Sequence, residues 1–288
     1  MYSIRSFVFV LALLLCTCKK AGSSGTSPFE SFPSLRDVAP GFVDEASGIA
    51  DSYSYPGYLW VELDSGNPPI LSLLKHDGSR GKTITIVGAT NRDWEDIVLS
   101  VGPEESKKYL YVGEIGDNNL QYPKYRIYRL VEPVAGQDSV SDYDRIDFIY
   151  PDGPHDAEAM LVEPTSKDIY IITKRDQQSK VYKLAYPPSA NTTITATHVM
   201  DLPYMGVVSA AYSSQHEILV KTYSSVYYYK GKTGESVKEI LLHSYQSLPY
   251  QVEAQGEAVC FSNNGSGFFT LSEKSFLPAA KLNFYRRK

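Results

Sequence analysis

"DWEDI", residues Asp93-Trp94-Glu95-Asp96-Ile97, sets three acids around a tryptophan in a chain that otherwise alternates like β-structure. Alone, such a stretch reads as a solvated turn. Four relatives change that reading: "EASGI" (45–49), "DAEAM" (156–160), "VVSAA" (207–211) and "QGEAV" (255–259). Each has Ser or Glu at its centre. The centres, Ser47, Glu95, Glu158, Ser209 and Glu257, stand 48, 63, 51 and 48 residues apart, a period that suits one four-stranded sheet per repeat.

A second apolar strand follows each copy, as in "YLWVELDSG" (58–66) and "YLYVGEIGD" (109–117), and a third follows that. Fourth strands are visible four times, in "TITIVG", "RIDFIY", "TATHVMDL" and "VKEILLHS". No fifth copy precedes Lys288, and residues 35–42, ahead of the first repeat, are expected to supply it. Short strands separated by Gly, Pro, Asn and Asp turns, with no useful helical period, make an all-β array. The expected fold is a single five-bladed β-propeller of four-stranded blades, closed by an N-terminal strand, since radial repetition leaves few open edges. A six-bladed ring with a degenerate blade in the longest interval is the alternative. Residues 134–144 read as a loop insertion that explains that interval more simply.

Composition agrees with this class. Of 288 residues, 43% are apolar and 23 are tyrosines, and the net charge of −5 excludes a nucleic-acid polymer as partner. Residues 1–18 read as an export signal: Arg5, an apolar run from Phe7 to Leu15 too short to span a bilayer, then Cys16-Thr17-Cys18 before Lys19-Lys20. Leu15-Cys16-Thr17-Cys18 resembles the lipobox of bacterial lipoproteins, which implies Cys18 as the lipidated residue, with Cys16 as the other choice. Residues 19–33 would then be a flexible tether and 34–288 the propeller. The expected location is the bacterial cell envelope, anchored by lipid or secreted, as a monomer. Processing leaves Cys260 as the one free thiol, so the core must hold the domain without disulfides.

The innermost strand of a blade lines the central channel, and side chains two apart point the same way. The five centres therefore form a ring, with Glu45, Asp93 and Asp156 nearer the mouth and Ile49, Ile97, Met160, Ala211 and Val259 as a deeper apolar plug. Glu45, Asp93, Glu95, Asp156, Glu158 and Glu257 would converge. Unit charges about 4 Å apart repel by about 4 kcal/mol per pair at an effective dielectric near 20. Either several stay protonated or a cation sits among them. Oxygen ligands without a matching His or Cys ring select calcium, with magnesium second.

The second strands end in Glu62 and Asp64, Glu114 and Asp117, Lys174 and Arg175, Lys221, and Glu273 and Lys274. Their ends lie beside the same mouth in a propeller. Asp64, Arg92, Glu114, Lys174, Lys221 and Lys274 are the expected contacts to an anionic small molecule or envelope component. Asp93, Asp156, His155 and Glu45 are the candidate catalytic groups, acting as general base toward water. The structural alternative makes these bases and acids ion pairs. His76, His198, His216 and His243 share no ligand spacing, and "EIGDNN" (114–119) reads as a polar turn.

"GATNRDWEDI", "YLYVGEIGDNN" and "HDAEAM" resemble a group of uncharacterised bacterial secreted and lipoprotein propellers, a resemblance that brings no activity. The channel order Ser47, Glu95, Glu158, Ser209, Glu257 is similar to the ring of the calcium-activated nucleotidases, or apyrases. This second resemblance implies calcium ligation by those five residues. It also implies hydrolysis of phosphate-containing, nucleotide-like substrates. The alternative function is a non-catalytic envelope binding module with a structural calcium.

Overall fold

Runs of Val, Ile, Leu and Tyr broken every few residues by Gly, Asn, Asp and Pro leave the chain no length for helices, and strands result. The computed structural model describes residues 25–187 and 192–288; the signal segment, Cys16, Cys18 and the first part of the tether lie outside the described residues. The first strand in the chain is β1 (Ser34–Asp37). Blade 1 is β2 (Ala46–Asp51), β3 (Tyr58–Leu63), β4 (Ile70–Lys75) and β5 (Arg80–Ile86). In blade 2, β6 (Trp94–Val101), β7 (Lys108–Glu114) and β8 (Tyr125–Val131) are followed by a two-residue β9 (Ser139–Val140) and then β10 (Asp144–Ile149). Blade 3 holds β11 (Ala157–Val162), β12 (Ile169–Thr173) and β13 (Lys180–Leu184), then, after a short β14 (Ile194–Thr195), β15 (Thr197–Asp201). Blade 4 has β16 (Val207–Tyr212), β17 (Glu217–Thr222) and β18 (Val226–Lys230), a helix α1 (Val237–Leu241), and β19 (Gln246–Ser247). Blade 5 is β20 (Gly256–Phe261), β21 (Gly267–Ser272) and β22 (Lys281–Arg286). β1 completes it, antiparallel to β22 with Ser34 opposite Phe284 and Asp37 opposite Lys281. Five blades and an N-terminal closing strand are thus the architecture, and that strand starts at Ser34 and ends at Asp37.

The core is divided among the junctions between neighbouring blades, one apolar cluster for each of the five. The tryptophan of "DWEDI" belongs to one of these. Trp94 is fully enclosed and packs with Trp60, Leu71, Leu110 and Tyr128 between blades 1 and 2. The motif therefore puts an apolar anchor on one face of β6 and carboxylates on the other.

Two local readings are corrected. "VKEILLHS" does not form an outer strand: Ser236 caps α1, Glu239 completes a capping box, and Val237, Ile240 and Leu241 bury their helical face between blades 3 and 4. Val237, Ile240 and Leu241 have helical spacing, which outweighs their β-propensity. The edge strand is the brief β19 instead. The 134–144 insertion is more than a loop, because β9 within it pairs in parallel with β5 of blade 1, Ser139 opposite Thr85. β14 does the same for β10 of blade 2. Each covers a sheet edge that would otherwise be open. Among the described residues no helix is long and apolar enough to cross a membrane.

Candidate metal centre at the channel mouth

Every inner strand carries one bulge near its start, an extra residue that has no partner in the ladder. In blades 1, 2, 3 and 5 that residue is Ser47, Glu95, Glu158 and Glu257. In blade 4 it is Val208, because Val207 pairs with Thr222 and Ser209 with Lys221. Val208 is buried yet belongs to none of the interblade clusters, whereas Ala210 packs toward blade 3 as Met160 packs toward blade 2. Ser209 thus does not share the ring position of the three glutamates, and Ala210 replaces Ala211 in the layer of Ile97. A sequence alignment centred on Ser cannot see a bulge that sits one residue earlier.

Ser209 stands instead at the position of Asp96. Its hydroxyl reaches Asp96 Oδ1 at 3.3 Å and accepts from the Val259 amide at 3.3 Å. Asp96 also accepts from the amides of Met160 (2.8 Å) and Ile97 (3.0 Å). One carboxylate from blade 2 thereby ties itself to blades 3 and 4, and through Ser209 to blade 5. Burial raises its carboxyl well above the usual range, and those donors work against the rise.

Above this knot the carboxylates gather in two groups that share Glu95. Oxygens of Asp64, Asp93 and Glu95 lie within 4.8 Å of one another, as do those of Glu95, Asp156 and Glu158. Their compensation differs. Glu158 pairs with Lys174, and Asp156 pairs with Arg175 Nε at 2.5 Å while accepting from the Asp117 amide at 2.7 Å. Asp64, Asp93 and Glu95 take part in no ion pair among the described residues; Glu95 accepts from the Ser47 hydroxyl at 3.3 Å and Asp64 from the Ser65 amide. Glu158 keeps a buried second oxygen, Oε2, without a partner among the described residues. Gly116 is required here, since a side chain on it would strike the carboxylates of Glu95 and Asp93.

The electrostatics follow from burial among like charges. Desolvation, then Glu158, lifts Glu95 well above the ordinary carboxyl value. Burial, then Asp64, pushes Asp93 up to about 6, and burial with Glu257 pushes Glu273 up to about 8. Burial works against the charge of Lys174, but Glu158 outweighs it and raises the ammonium. Tyr223 joins the two halves of the rim, since Lys174 donates to its hydroxyl at 3.0 Å and that hydroxyl donates to Glu257.

Other expected site residues are placed elsewhere. His155 is held between blades 2 and 3, with Nδ1 3.1 Å from Asp176 and Nε2 2.9 Å from the Tyr182 hydroxyl. Both of its ring nitrogens are engaged. Glu114 braces a loop, accepting from Thr90 Oγ1 and the Arg92 amide at 3.0 Å each. Arg92 donates to the Lys124 carbonyl at 3.1 Å and stacks 3.8 Å over Tyr122. Lys221 is wholly buried, bonded to the Gly256 carbonyl, and burial brings its ammonium down to about 8. Lys274 faces Asp44 at 3.4 Å, and exposed Glu45 accepts from Asn67 at 2.8 Å. Asp117 shapes its own turn by accepting from Gln121, Tyr122 and Tyr125. Arg175, Tyr223 and Glu273 are the mouth residues that sequence reasoning left without a role; only the first and last carried a signal, as ends of second strands.

At the other end of the channel, beyond Ile49, Ile97 and Val259, lies a separate cavity of about 300 Å³ with Cys260 in its wall. None of the carboxylates of the mouth lines it.

No protein-family model matches the chain, and no curated protein matches it. Solved structures similar in overall shape include the PQQ-bound aldose sugar dehydrogenase of Streptomyces coelicolor. That likeness has 11% identity over 90% of this chain and 99% of the other, with a TM-score of 0.47. The hydrazine synthase of Kuenenia stuttgartiensis matches at 10% identity over 82% and 70%, TM-score 0.42. A chain of the mitotic checkpoint complex matches at 12% over 97% and 98%, TM-score 0.45. Such distant likenesses carry no chemistry to this chain.

Proposed function

We propose that this is an exported, lipid-anchored propeller that binds calcium at its channel mouth and hydrolyses a phosphate-containing, nucleotide-like substrate there. The observation that carries the reading is the asymmetry of the mouth. Asp64, Asp93 and Glu95 converge with no ion pair among the described residues, while Glu158 and Asp156 beside them are already paired with Lys174 and Arg175. An all-oxygen donor set with a bare oxygen on Glu158 fits a hard divalent ion. Calcium bound there would polarise a phosphoryl oxygen.

The chain's own residues would do the remainder. Arg175, whose side chain is about half exposed at 49%, reaches the rim and can exchange Asp156 for a substrate phosphate. Lys174 holds Glu158 and Tyr223 in place. Asp93, beside Asp64 and Glu95, would take a proton from the attacking water. His155 and Glu45 take no part in this reading, because the first is locked between Asp176 and Tyr182 and the second is bound to Asn67.

The second reading is a binding module on a structural ion. It is favoured by the engagement of Arg92, Glu114, Lys221 and Lys274 in bonds of their own. Calorimetric titration with calcium and phosphate release from nucleoside di- and triphosphates, for the natural chain and Asp64→Asn, separate the two. Calcium-dependent release that disappears in the variant supports the hydrolase. Calcium binding without release moves the assignment to the module, and no binding at all removes the mouth as a metal centre.

A further inference from the structure

The cavity at the far end of the channel departs from the symmetry of the ring. Inner strands β2, β11, β16 and β20 have six residues each, whereas β6 has eight. The extra residues, Ser100 and Val101, carry the β6–β7 hairpin past the ends of the other inner strands. They bring Lys108, which pairs with Val101, into the cavity wall. The floor is aliphatic: Ile49, Ile97 and Val259 are buried in it, and Val98 and Leu99 are partly open. A volume of about 300 Å³ stands at the small end of ligand pockets.

The charges of the wall are unevenly matched. Asp51 is the one acid in it among the described residues, and it is engaged: it lies 2.8 Å from His76 Nε2 and accepts from the Asn263 amide at 2.7 Å. Arg287 is held by both oxygens of Glu217, at 2.9 and 2.6 Å. Lys108 has neither an ion pair nor a side-chain hydrogen bond among the described residues. Its ammonium rests 5.0 Å over the ring of Tyr53, a contact that leaves its N–H donors free. His216 is the other polar group without a full set of partners: Nδ1 lies 3.1 Å from the Tyr212 hydroxyl, and Nε2 has no partner among the described residues. Its backbone is left-handed, φ 57°, in the turn where blades 1 and 5 place Gly57 and Gly265. An imidazole is thus kept at a position that glycine would fill with less strain.

We propose that this cavity is a second binding site, for an aliphatic monocarboxylate whose chain lies on the floor of Ile49, Ile97 and Val259 and whose carboxylate meets Lys108. His216 is the second polar contact of the wall. Apolar floor and unpaired ammonium together select an amphipathic anion: the floor favours a chain over a small inorganic ion, and Lys108 favours a carboxylate over an amine or an alcohol. The site owes nothing to the acids of the mouth and does not rest on the calcium reading.

The test is a calorimetric titration of the purified full chain, in chelator, with sodium octanoate, hexanoate and butanoate and with octylammonium chloride. One octanoate is expected per chain, with affinity falling about fourfold for each methylene removed and octylammonium bound far more weakly. Lys108→Met should weaken octanoate about tenfold or more, and Lys108→Arg should restore most of the loss. No octanoate binding, a chain-length series of equal affinities, octylammonium bound as tightly as octanoate, or unchanged affinity in Lys108→Met each overturns the proposal. Octanoate binding that requires calcium belongs to the mouth and overturns it too. If the Lys108 variants fail to fold, methyl resonances of the natural chain decide. Those of Ile49, Ile97 and Val259 should shift as octanoate is added, and unmoved resonances overturn the proposal.

Discussion

Replacing Lys174 with methionine keeps the length and apolar stem of the side chain while removing the cation that faces Glu158. The Glu158 side chain is 5% exposed and the Lys174 side chain 13% exposed, so the pair lies close to the buried limit. Removing one partner of a buried pair costs about 3–5 kcal/mol, because the other charge is left stranded. Residual solvent at the rim and protonation of Glu158 reduce this to about 2–3 kcal/mol. A domain of this size should lose about 4–12 °C of melting temperature in chelator. Calcium should return most of the loss, since Glu158 gains an oxygen to offer. Calcium affinity should rise at least about tenfold, roughly 1.4 kcal/mol, as a competing cation disappears. Differential scanning fluorimetry with and without calcium, together with calorimetric titration, reads both quantities. A melting temperature within 2 °C of the natural chain, with unchanged affinity, would refute the assignment of Lys174 as the counter-ion of the mouth.

The calcium-free protein should lose stability as pH rises from about 5 to about 8.5. Asp93 and Glu273 have folded values above their unfolded ones, so their contribution is complete below the unfolded value and vanishes as pH climbs through about 6 and about 8. Melts in chelator should show the fall and saturating calcium should flatten it; a chelator curve level over that range refutes the crowding of the mouth. Ser209→Ala should cost about 1–2 kcal/mol in a urea melt, through the lost partners of Asp96 and Val259, and change calcium affinity less than about twofold. A large loss of affinity would restore Ser209 to the ring. Trp94→Ala should remove about 3–5 kcal/mol and leave the calcium stoichiometry of any protein that still folds unaltered. A changed stoichiometry would mean that the acids of "DWEDI" depend on the packing of its tryptophan.

Much of the architecture was legible because a propeller repeats its error-free parts. Five copies of one short strand gave the blade number, and the apolar run after each gave its neighbour. Charge crowding at Glu95, Asp93 and Asp156 was legible for the same reason. What stayed hidden depended on single residues. The bulge at Val208 shifts blade 4 by one position and moves Ser209 out of the ring, yet it leaves no mark in the order of residue types. The capping box of Ser236 and Glu239 was readable in principle, but the alternating look of the neighbouring segments outweighed it. Long side chains were the other blind spot: a strand end shows that Lys174, Lys221 and Lys274 lie near one rim, and only geometry shows that each already has a partner.

The strand that closes the ring also fixes how the molecule hangs from whatever precedes it. The Lys288 amide donates to the Pro28 carbonyl at 3.0 Å and the Glu30 amide to the Arg286 carbonyl at 2.8 Å, so residues 28–30 and 286–288 run side by side at the outer side of blade 5. Gly25 itself lies at the perimeter, its carbonyl accepting from Gln246 on the outer strand of blade 4. A short tether there would hold the molecule edge-on, like a coin stood on its rim, with the acidic mouth and the opposite cavity both open to the surroundings. The closeness of residues 28 and 288 also makes the ring a natural subject for circular permutation, with these two joined by a brief linker and a new break placed between two blades.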